Sequence, residues 1–278
     1  MQPGIFAKTF AAQGAQPTLD AVAAAGYETA QFNLACLGLP SMPDSIDQAV
    51  AAEVALASKR SGVSIAAVSG TYNMIHPDMA IRASGLARLE VLCGACHAMG
   101  TRLVTLCTGT RDPVDQWRWH PANADADAWR DLLVEMEKAV AIAERFDVEL
   151  GIEPELANVV SSAPAATRLF TEIASPRLRI VLDPANLFEI ETADKRQRLV
   201  EEAIDLLGSR IAMAHAKDRD AKGGFTTAGQ GVIDFPHFIG CLKRSGFDGP
   251  LVTHGLPEAD APAVAGFLKG LLEKDDGR

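Results

Sequence analysis

Eight short apolar segments, each followed by a longer amphipathic stretch, constrain the fold of this chain more than any other feature. The short segments are rich in β-branched residues and span residues 5–10, 27–33, 63–69, 103–108, 148–153, 178–183, 211–215 and 251–254. Strands that alternate with helix-sized patterns are typical of βαβ units in a parallel sheet. The sequence therefore predicts an α/β protein with eight parallel strands.

The stretches between these segments carry the signals of helices. Residues 128–146 place their apolar side chains at helical spacing. Further helices are predicted over residues 45–61, 194–207, 235–245 and 261–272, and a glycine follows each of the first three. The strands and the helices thus alternate over nearly the whole chain.

The length of the chain decides between two architectures. A (β/α)8 TIM barrel usually takes about 250 residues, and the chain has 278. No linker rich in Pro, Gly and Ser divides it, so we expect one barrel domain over residues 1–278. A doubly wound sheet is the alternative, but the segment after the first strand, FAAQG, lacks the glycine-rich fingerprint of that fold.

Charge and composition exclude several kinds of partner. The net charge is −10, with 26 Lys and Arg against 36 Asp and Glu, which argues against a nucleic-acid partner. No apolar run reaches the ~18 residues of a membrane helix, and the N-terminus lacks a secretory pattern. The five cysteines are irregularly spaced, as is typical of reduced thiols. We expect a cytoplasmic protein without a membrane partner, and homo-oligomer formation stays open.

Four consecutive predicted strands end in side chains that can bind metals. The fifth to eighth strands end in Glu153, Asp183, His215 and His254. The active site of a TIM barrel lies at the carboxyl ends of its strands, so these side chains should meet at one mouth. Carboxylate oxygens with imidazole nitrogens suit Mn²⁺, Zn²⁺, Co²⁺ or Fe²⁺. The pattern predicts a divalent-metal site, although each residue alone is more typical of an ion pair or a polar rim.

Four motifs resemble those of the xylose isomerase-like TIM barrels. They read GIEPE (residues 151–155), VLDPAN (181–186), HAKD (215–218) and GQGVIDF (229–235). This sugar phosphate isomerase/epimerase superfamily also contains inosose dehydratases, ketose 3-epimerases and endonuclease IV. The resemblance covers most of the chain, is strongest over residues 148–256, and implies a TIM barrel more firmly than any particular substrate.

The resemblance implies roles for several of these residues. Glu153, Asp183 and His215 stand where the family binds a divalent metal, for which we expect Mn²⁺, with Mg²⁺, Co²⁺, Zn²⁺ or Fe²⁺ as alternatives. The fourth family ligand is usually a Glu after the eighth strand, and here the sequence is THGLPE, so His254 is the candidate replacement. The 3-epimerases use two glutamates as an acid/base pair, a route that this chain does not reproduce. Asn186 stands where many relatives carry His, and an amide supplies no proton at neutral pH.

Other residues near the predicted mouth are candidates for contact with a substrate. His76 follows the third strand, and Arg111, Trp117 and His120 lie in the long irregular segment 109–125 after the fourth. An Arg fork binds carboxylate, phosphate or hydroxyl groups, and aromatic faces pack on sugar C–H surfaces. The alternatives are a His-Pro-Asp turn for His76, a loop salt bridge for Arg111, and sealing of the barrel top for the aromatic residues.

Two further residues complete the predicted site. Asn186 is expected to hydrogen-bond a substrate hydroxyl, and Lys217 to stabilise negative charge that develops on the substrate. The alternative for Lys217 is a structural ion pair with a neighbouring carboxylate.

The leading functional hypothesis is a metal-dependent isomerase or epimerase of a small sugar or keto-polyol. Glu153 would remove a proton beside the carbonyl to give an enediolate-type intermediate, and His254, His76 or water would return it. A lyase or dehydratase on the same site is the main alternative, either inosose dehydratase-like or eliminating from a 3-keto sugar. An endonuclease IV-like phosphodiesterase, which the six histidines and the negative charge disfavour, and a non-catalytic sugar-binding barrel are further alternatives.

Overall fold

Residues 1–273, which the computed structural model describes, contain a closed barrel of eight parallel strands. Each strand pairs with its neighbours in chain order, and the first strand closes the barrel against the last. The strands are β1 (Gln2–Phe6), β2 (Thr29–Phe32), β3 (Ser64–Ser69), β4 (Leu103–Leu106), β5 (Glu149–Ile152), β6 (Leu178–Leu182), β7 (Ile211–Ala216) and β10 (Pro250–Thr253). The predicted (β/α)8 barrel is confirmed.

Eight helices alternate with these strands and cover the outside of the barrel. They are α1 (Ala15–Ala24), α2 (Gln48–Ser61), α3 (Met79–Met99), α4 (Ala126–Phe146), α5 (Ala163–Glu172), α6 (Ala193–Leu207), α7 (Phe235–Arg244) and α8 (Ala261–Leu272). No helix within residues 1–273 combines the length and the apolar composition needed to cross a membrane.

The first strand shows where the sequence prediction was wrong. Its predicted span was 5–10, but β1 covers Gln2–Phe6 and a single 3-10 turn follows at Ala7–Thr9. Pro3 and Gly4 disfavour a strand by local propensity, yet both lie in register with β10. Gly4 is needed there, since a Cβ at this position would lie 2.7 Å from Cγ2 of Thr29 on β2.

Apolar side chains fill the barrel on both sides of its strands. Inside, a small cluster of residues from five of the eight strands packs around the barrel axis: Ala67, Leu103, Val181, Met213 and Val252. Outside, a much larger cluster joins the strands to the surrounding helices. All five cysteines are free and buried. With the interior filled in this way, a ligand can enter only at an end of the barrel.

A buried aspartate shapes the loop after β7. Asp218, which is fully buried, accepts backbone hydrogen bonds from Gly229 (3.0 Å), Gly231 (2.9 Å) and Ile233 (3.0 Å). Gly231 approaches so closely that a Cβ there would lie 2.1 Å from the carbonyl oxygen of Arg219. The HAKD and GQGVID motifs are therefore joined in space. Between them lies a two-stranded hairpin of β8 (Asp218–Arg219) and β9 (Phe225–Thr226).

Candidate metal centre

The barrel brings the four strand-end side chains together. Glu153, Asp183 and His254 directly follow β5, β6 and β10, and His215 lies near the end of β7. Each offers a nitrogen or oxygen atom, and these four atoms all lie within 4.8 Å of one another. Nδ1 of His215 is 3.1 Å from Oε1 of Glu153 and 3.9 Å from Oδ2 of Asp183. Such a cluster is able to hold a divalent metal ion.

Two atoms of this cluster are buried without a hydrogen-bond partner. Oδ1 of Asp183 accepts from the backbone of Ala185 at 2.8 Å, but its Oδ2 accepts nothing. Nε2 of His254 lies 3.5 Å from that oxygen and is also unpartnered. Leaving buried polar atoms unsatisfied costs free energy, and a bound cation would satisfy both. The residues present therefore fit a divalent metal.

The charges of the cluster are coupled. Burial favours the neutral form of Glu153, but the charge and the hydrogen bond of His215 hold its pKa below the usual range. Burial opposes protonation of His215, but Glu153 raises its pKa above the ordinary value. Burial, together with the neighbouring His215, lowers the pKa of His254. Because only neutral imidazole binds a metal, any proton that the raised pKa keeps on His215 leaves when a metal enters.

Gln31 on β2 fixes the orientation of His215. Its amide nitrogen donates to Ser69 (3.1 Å) and Thr105 (3.2 Å), so its oxygen faces Nε2 of His215 at 2.9 Å. The imidazole therefore carries a hydrogen on Nε2, which it donates to Gln31. Its Nδ1 points at Glu153 and Asp183, where a ligand lone pair is needed. An outer hydrogen bond of this kind is usual for metal-binding histidines.

We predict that Gln31→Leu lowers the metal affinity of the mouth cluster by about 10–100-fold, the usual cost of losing such a partner. The leucine accepts no hydrogen bond, so His215 can adopt the wrong tautomer. Gln31→Glu keeps an acceptor and should bind metal at least as tightly as the wild type. Isothermal titration with Mn²⁺ measures both variants, and equal losses in the two would contradict this positioning role.

The cluster lies at the base of a cavity of about 500 Å³. Asn186 lines it and donates to Oε1 of Glu153 at 2.9 Å, while its own Oδ1 is buried and unpartnered. Trp117 lines the cavity and is 55% exposed, and Lys217 lies over the Phe225 ring with Nζ 3.3 Å from its centre. The structure thus places these three sequence-predicted residues in the cavity that Glu153, His215 and His254 also line.

Three predicted substrate contacts lie outside the set of residues that line this cavity. His76 contacts the carbonyl of Pro113 (3.1 Å) and accepts from the backbone of Asp78 (3.0 Å). Arg111 pairs with Asp131 at 2.6 Å and donates to a backbone carbonyl. His120 accepts from the backbone of Ala122 at 3.2 Å, at the start of a 3-10 turn. The contacts of His76 are those of a turn and the contacts of Arg111 are those of a loop salt bridge, whereas His120 caps the 3-10 turn that follows it.

The cavity also contains residues that the sequence analysis did not single out as site residues. Gln31 is a polar residue between Ala30 and Phe32 near the carboxyl end of β2, a signal that could have found it. Lys8 lines the cavity from the turn after β1. Glu155, which belongs to the GIEPE motif, also lines it, and burial with the nearby charge of Glu153 raises its pKa to about 7.

Comparison with known families identifies the chain. The family model for the xylose isomerase-like TIM barrel matches residues 19–271. The chain belongs to this family. The predicted resemblance is therefore confirmed. A comparison with curated protein sequences gives no match.

Solved structures of the same fold include several sugar epimerases. A D-tagatose 3-epimerase-like protein superposes with a TM-score of 0.77 at 15% identity, over 98% of this chain and 97% of that one. D-psicose 3-epimerase from Clostridium cellulolyticum H10, solved with D-tagatose, gives 0.74 at 15% identity, over 99% and 100%. The 3-keto-D-glucoside 4-epimerase of E. coli gives 0.75 at 16% identity, over 97% and 99%. At these identities the likeness shows the fold.

Proposed function

We propose that this protein is a divalent-metal-dependent isomerase or epimerase of a small keto sugar or keto-polyol. The observation that carries the proposal is the convergence of Glu153, Asp183, His215 and His254, with two buried atoms unpartnered, at the carboxyl ends of the barrel strands. The sugar epimerases among the solved structures of this fold support the same class of reaction.

Mn²⁺ is the proposed metal, and the donor set is compatible with it. Two carboxylates and two imidazoles offer oxygen and nitrogen, without a thiolate that would select a softer metal. Mg²⁺, Co²⁺, Zn²⁺ and Fe²⁺ are the alternatives. The chemistry that a bound divalent ion supplies at this place is Lewis-acid polarisation of a substrate carbonyl, which acidifies the neighbouring C–H bond.

Glu153 is the proposed general base. Its pKa is held below the usual range, so the carboxylate is ionised at neutral pH and able to accept a proton. Asn186 donates to one of its oxygens at 2.9 Å and fixes the orientation of the carboxylate. The unpartnered Oδ1 of Asn186 is free to accept a hydrogen bond from a substrate hydroxyl.

Proton return requires a second group at the cavity. His254 lines the cavity and its pKa is lowered, so the ring is neutral near pH 7 and can relay a proton, directly or through water. His76 lies outside the cavity lining, so His254 or a water is the donor that the geometry favours. Returning the proton to the neighbouring carbon gives isomerisation, and returning it to the other face gives epimerisation.

Two lysines favour a reaction in which negative charge develops. Lys8 and Lys217 both line the cavity, and neither forms an ion pair within the described part of the chain. Lys217 is the proposed partner of the developing enediolate oxygen, because a fixed positive charge stabilises such an intermediate. Trp117 lines the cavity and offers an aromatic face to the sugar.

Elimination on the same site is the second candidate, and the residue after β10 favours it. A two-base epimerisation needs a strong proton donor and acceptor on each face of the substrate, whereas this chain presents His254 where relatives usually carry Glu. One base with one acid is enough to remove a proton and a β-hydroxyl or β-alkoxyl group. The two reactions differ in mass balance, since elimination releases water or an alcohol.

The test is a screen of keto sugars, keto-polyols and 3-keto glycosides with the Mn²⁺-loaded protein in D₂O. We expect at least one substrate to take up deuterium next to its carbonyl and to give a product whose composition is otherwise unchanged, detected by NMR and mass spectrometry. A product lighter by water or alcohol would establish the lyase instead. Deuterium uptake that is equal for wild type and Glu153→Gln would overturn the proposed base.

A further inference from the structure

A second cluster of metal-ligand side chains lies outside the barrel, between α6 and α7. Glu201 is on α6, and His237 and Cys241 are one helical turn apart on α7, so they share one face of that helix. Their ligand atoms all lie within 4.8 Å of one another. The cluster shares no residue with the mouth of the barrel and takes no part in the proposed reaction.

The separations within this cluster match those around a tetrahedral metal. Nε2 of His237 is 3.4 Å from Oε1 of Glu201 and 3.5 Å from Sγ of Cys241. Zn–N and Zn–O bonds of about 2.0–2.1 Å and a Zn–S bond of about 2.3 Å put tetrahedral ligand atoms roughly 3.3–3.6 Å apart. These two distances therefore already suit a common Zn²⁺ ion, without movement of either helix.

The residues around the cluster provide access for solvent, a possible fourth ligand and a hydrogen bond to the sulfur. A groove of about 490 Å³ lies beside Cys241 and Glu201, so solvent reaches the cluster. Asp205, one turn after Glu201 on α6, lines the same groove and can provide a fourth ligand or hold a bound water. Arg244 donates to Sγ of Cys241 at 3.0 Å. That contact would remain as a hydrogen bond to the metal-bound thiolate, as is usual around metal sites.

We propose that Glu201, His237 and Cys241 form a second metal site, selective for Zn²⁺, that clamps α7 to α6. A thiolate ligand favours Zn²⁺ over Mn²⁺ or Mg²⁺, so the two sites of the protein differ in metal preference. The helices α6 and α7 follow the strands that carry Asp183 and His215. Zn²⁺ at this site stabilises the folded state, because it binds three groups that are apart in the unfolded chain.

The experiment uses Co²⁺ as a spectroscopic probe in the Asp183→Ala variant, which leaves the outer cluster intact. Co²⁺ bound to a thiolate gives a sulfur-to-cobalt absorption band in the near ultraviolet, which a site of carboxylates and imidazoles alone does not. We expect one Co²⁺ per chain with this band, displaced by one Zn²⁺, and a higher melting temperature with Zn²⁺. Absence of the band at saturating Co²⁺ would overturn the proposal.

Matched variants assign the ligands. The ligand variants are made in the Asp183→Ala background, where Cys241→Ser should abolish the band. His237→Gln or Glu201→Gln should weaken Co²⁺ binding by more than about 10-fold, since losing even a hydrogen-bond partner of a ligand costs 10–100-fold.

Two control variants should change neither the band nor the affinity for Co²⁺. Cys36→Ser replaces a buried thiol elsewhere, and Glu202→Gln replaces an exposed neighbour on α6. Glu201 is exposed, so its replacement leaves the fold intact. A band that survives both Glu201→Gln and His237→Gln at full affinity would contradict the assignment.

Discussion

Replacing Asp183 by alanine is expected to lower the affinity of the barrel mouth for Mn²⁺ by more than about 100-fold, beyond the usual cost of losing an outer partner. Asp183 is almost fully buried, and its free Oδ2 faces both histidines of the cluster. The remaining two imidazoles and one carboxylate leave an incomplete set of ligands with less negative charge. Equilibrium dialysis with elemental analysis measures the loss.

Asp194→Ala is the matched control, because that carboxylate is exposed in the first turn of α6. It should bind Mn²⁺ like the wild type. Melting curves recorded without metal show whether Asp183→Ala still folds. A folded Asp183→Ala protein that binds Mn²⁺ as tightly as the wild type would place the metal elsewhere.

Replacing Glu153 by glutamine is expected to lower turnover by about 10²–10⁴-fold, the usual contribution of a general base. Glutamine keeps an oxygen that can bind metal but accepts no proton from carbon. The loss should therefore appear in kcat at saturating metal and substrate, with a smaller change in KM. Deuterium exchange next to the carbonyl should fall in proportion, because it reports the same proton transfer.

Glu149→Gln is the control for this substitution. Glu149 stands at the opposite end of β5 and pairs with Arg179 at 3.4 Å, far from the mouth in the order of the strand. Its replacement should leave turnover unchanged. If Glu153→Gln retained wild-type turnover with metal bound, another group would be the base.

The sequence predicted the barrel and the meeting of four ligand-type side chains at its mouth for one physical reason. In a parallel barrel every strand ends at the same mouth, so a ligand-type residue at the end of a strand lies at that mouth. Glu153, Asp183, His215 and His254 follow this rule, and the structure groups them within 4.8 Å. The order of the strands and the type of ligand could both be predicted from the sequence.

Residues on loops were harder to place from sequence. Arg111 follows β4 at the level of the mouth, but its guanidinium turns to Asp131 on α4, a pairing that depends on how the loop folds back. Gln31 lies on a strand, and the sequence analysis did not single it out for a different reason. Its role depends on the direction in which one side chain points inside the barrel. Neither the partner of Arg111 nor the contact of Gln31 with His215 follows from strand order.

The cluster of Glu201, His237 and Cys241 could not be predicted from the sequence either. Glu201 lies far from His237 and Cys241 along the chain, and only the packing of α6 against α7 brings the three together. The His-x-x-x-Cys spacing on one helix was present in the sequence but has little meaning without the third ligand. The position of α6 along α7 brings the three side chains together, and that position depends on side-chain packing.

The most direct test of the metal centre at the barrel mouth is a crystal structure of the Mn²⁺-loaded protein with anomalous diffraction data. We expect an anomalous peak bound by Glu153, Asp183, His215 and His254, with Nδ1 of His215 as the ligand atom and Gln31 still accepting from its Nε2. A mouth without such a peak at saturating Mn²⁺, or a peak bound by other residues, would contradict it.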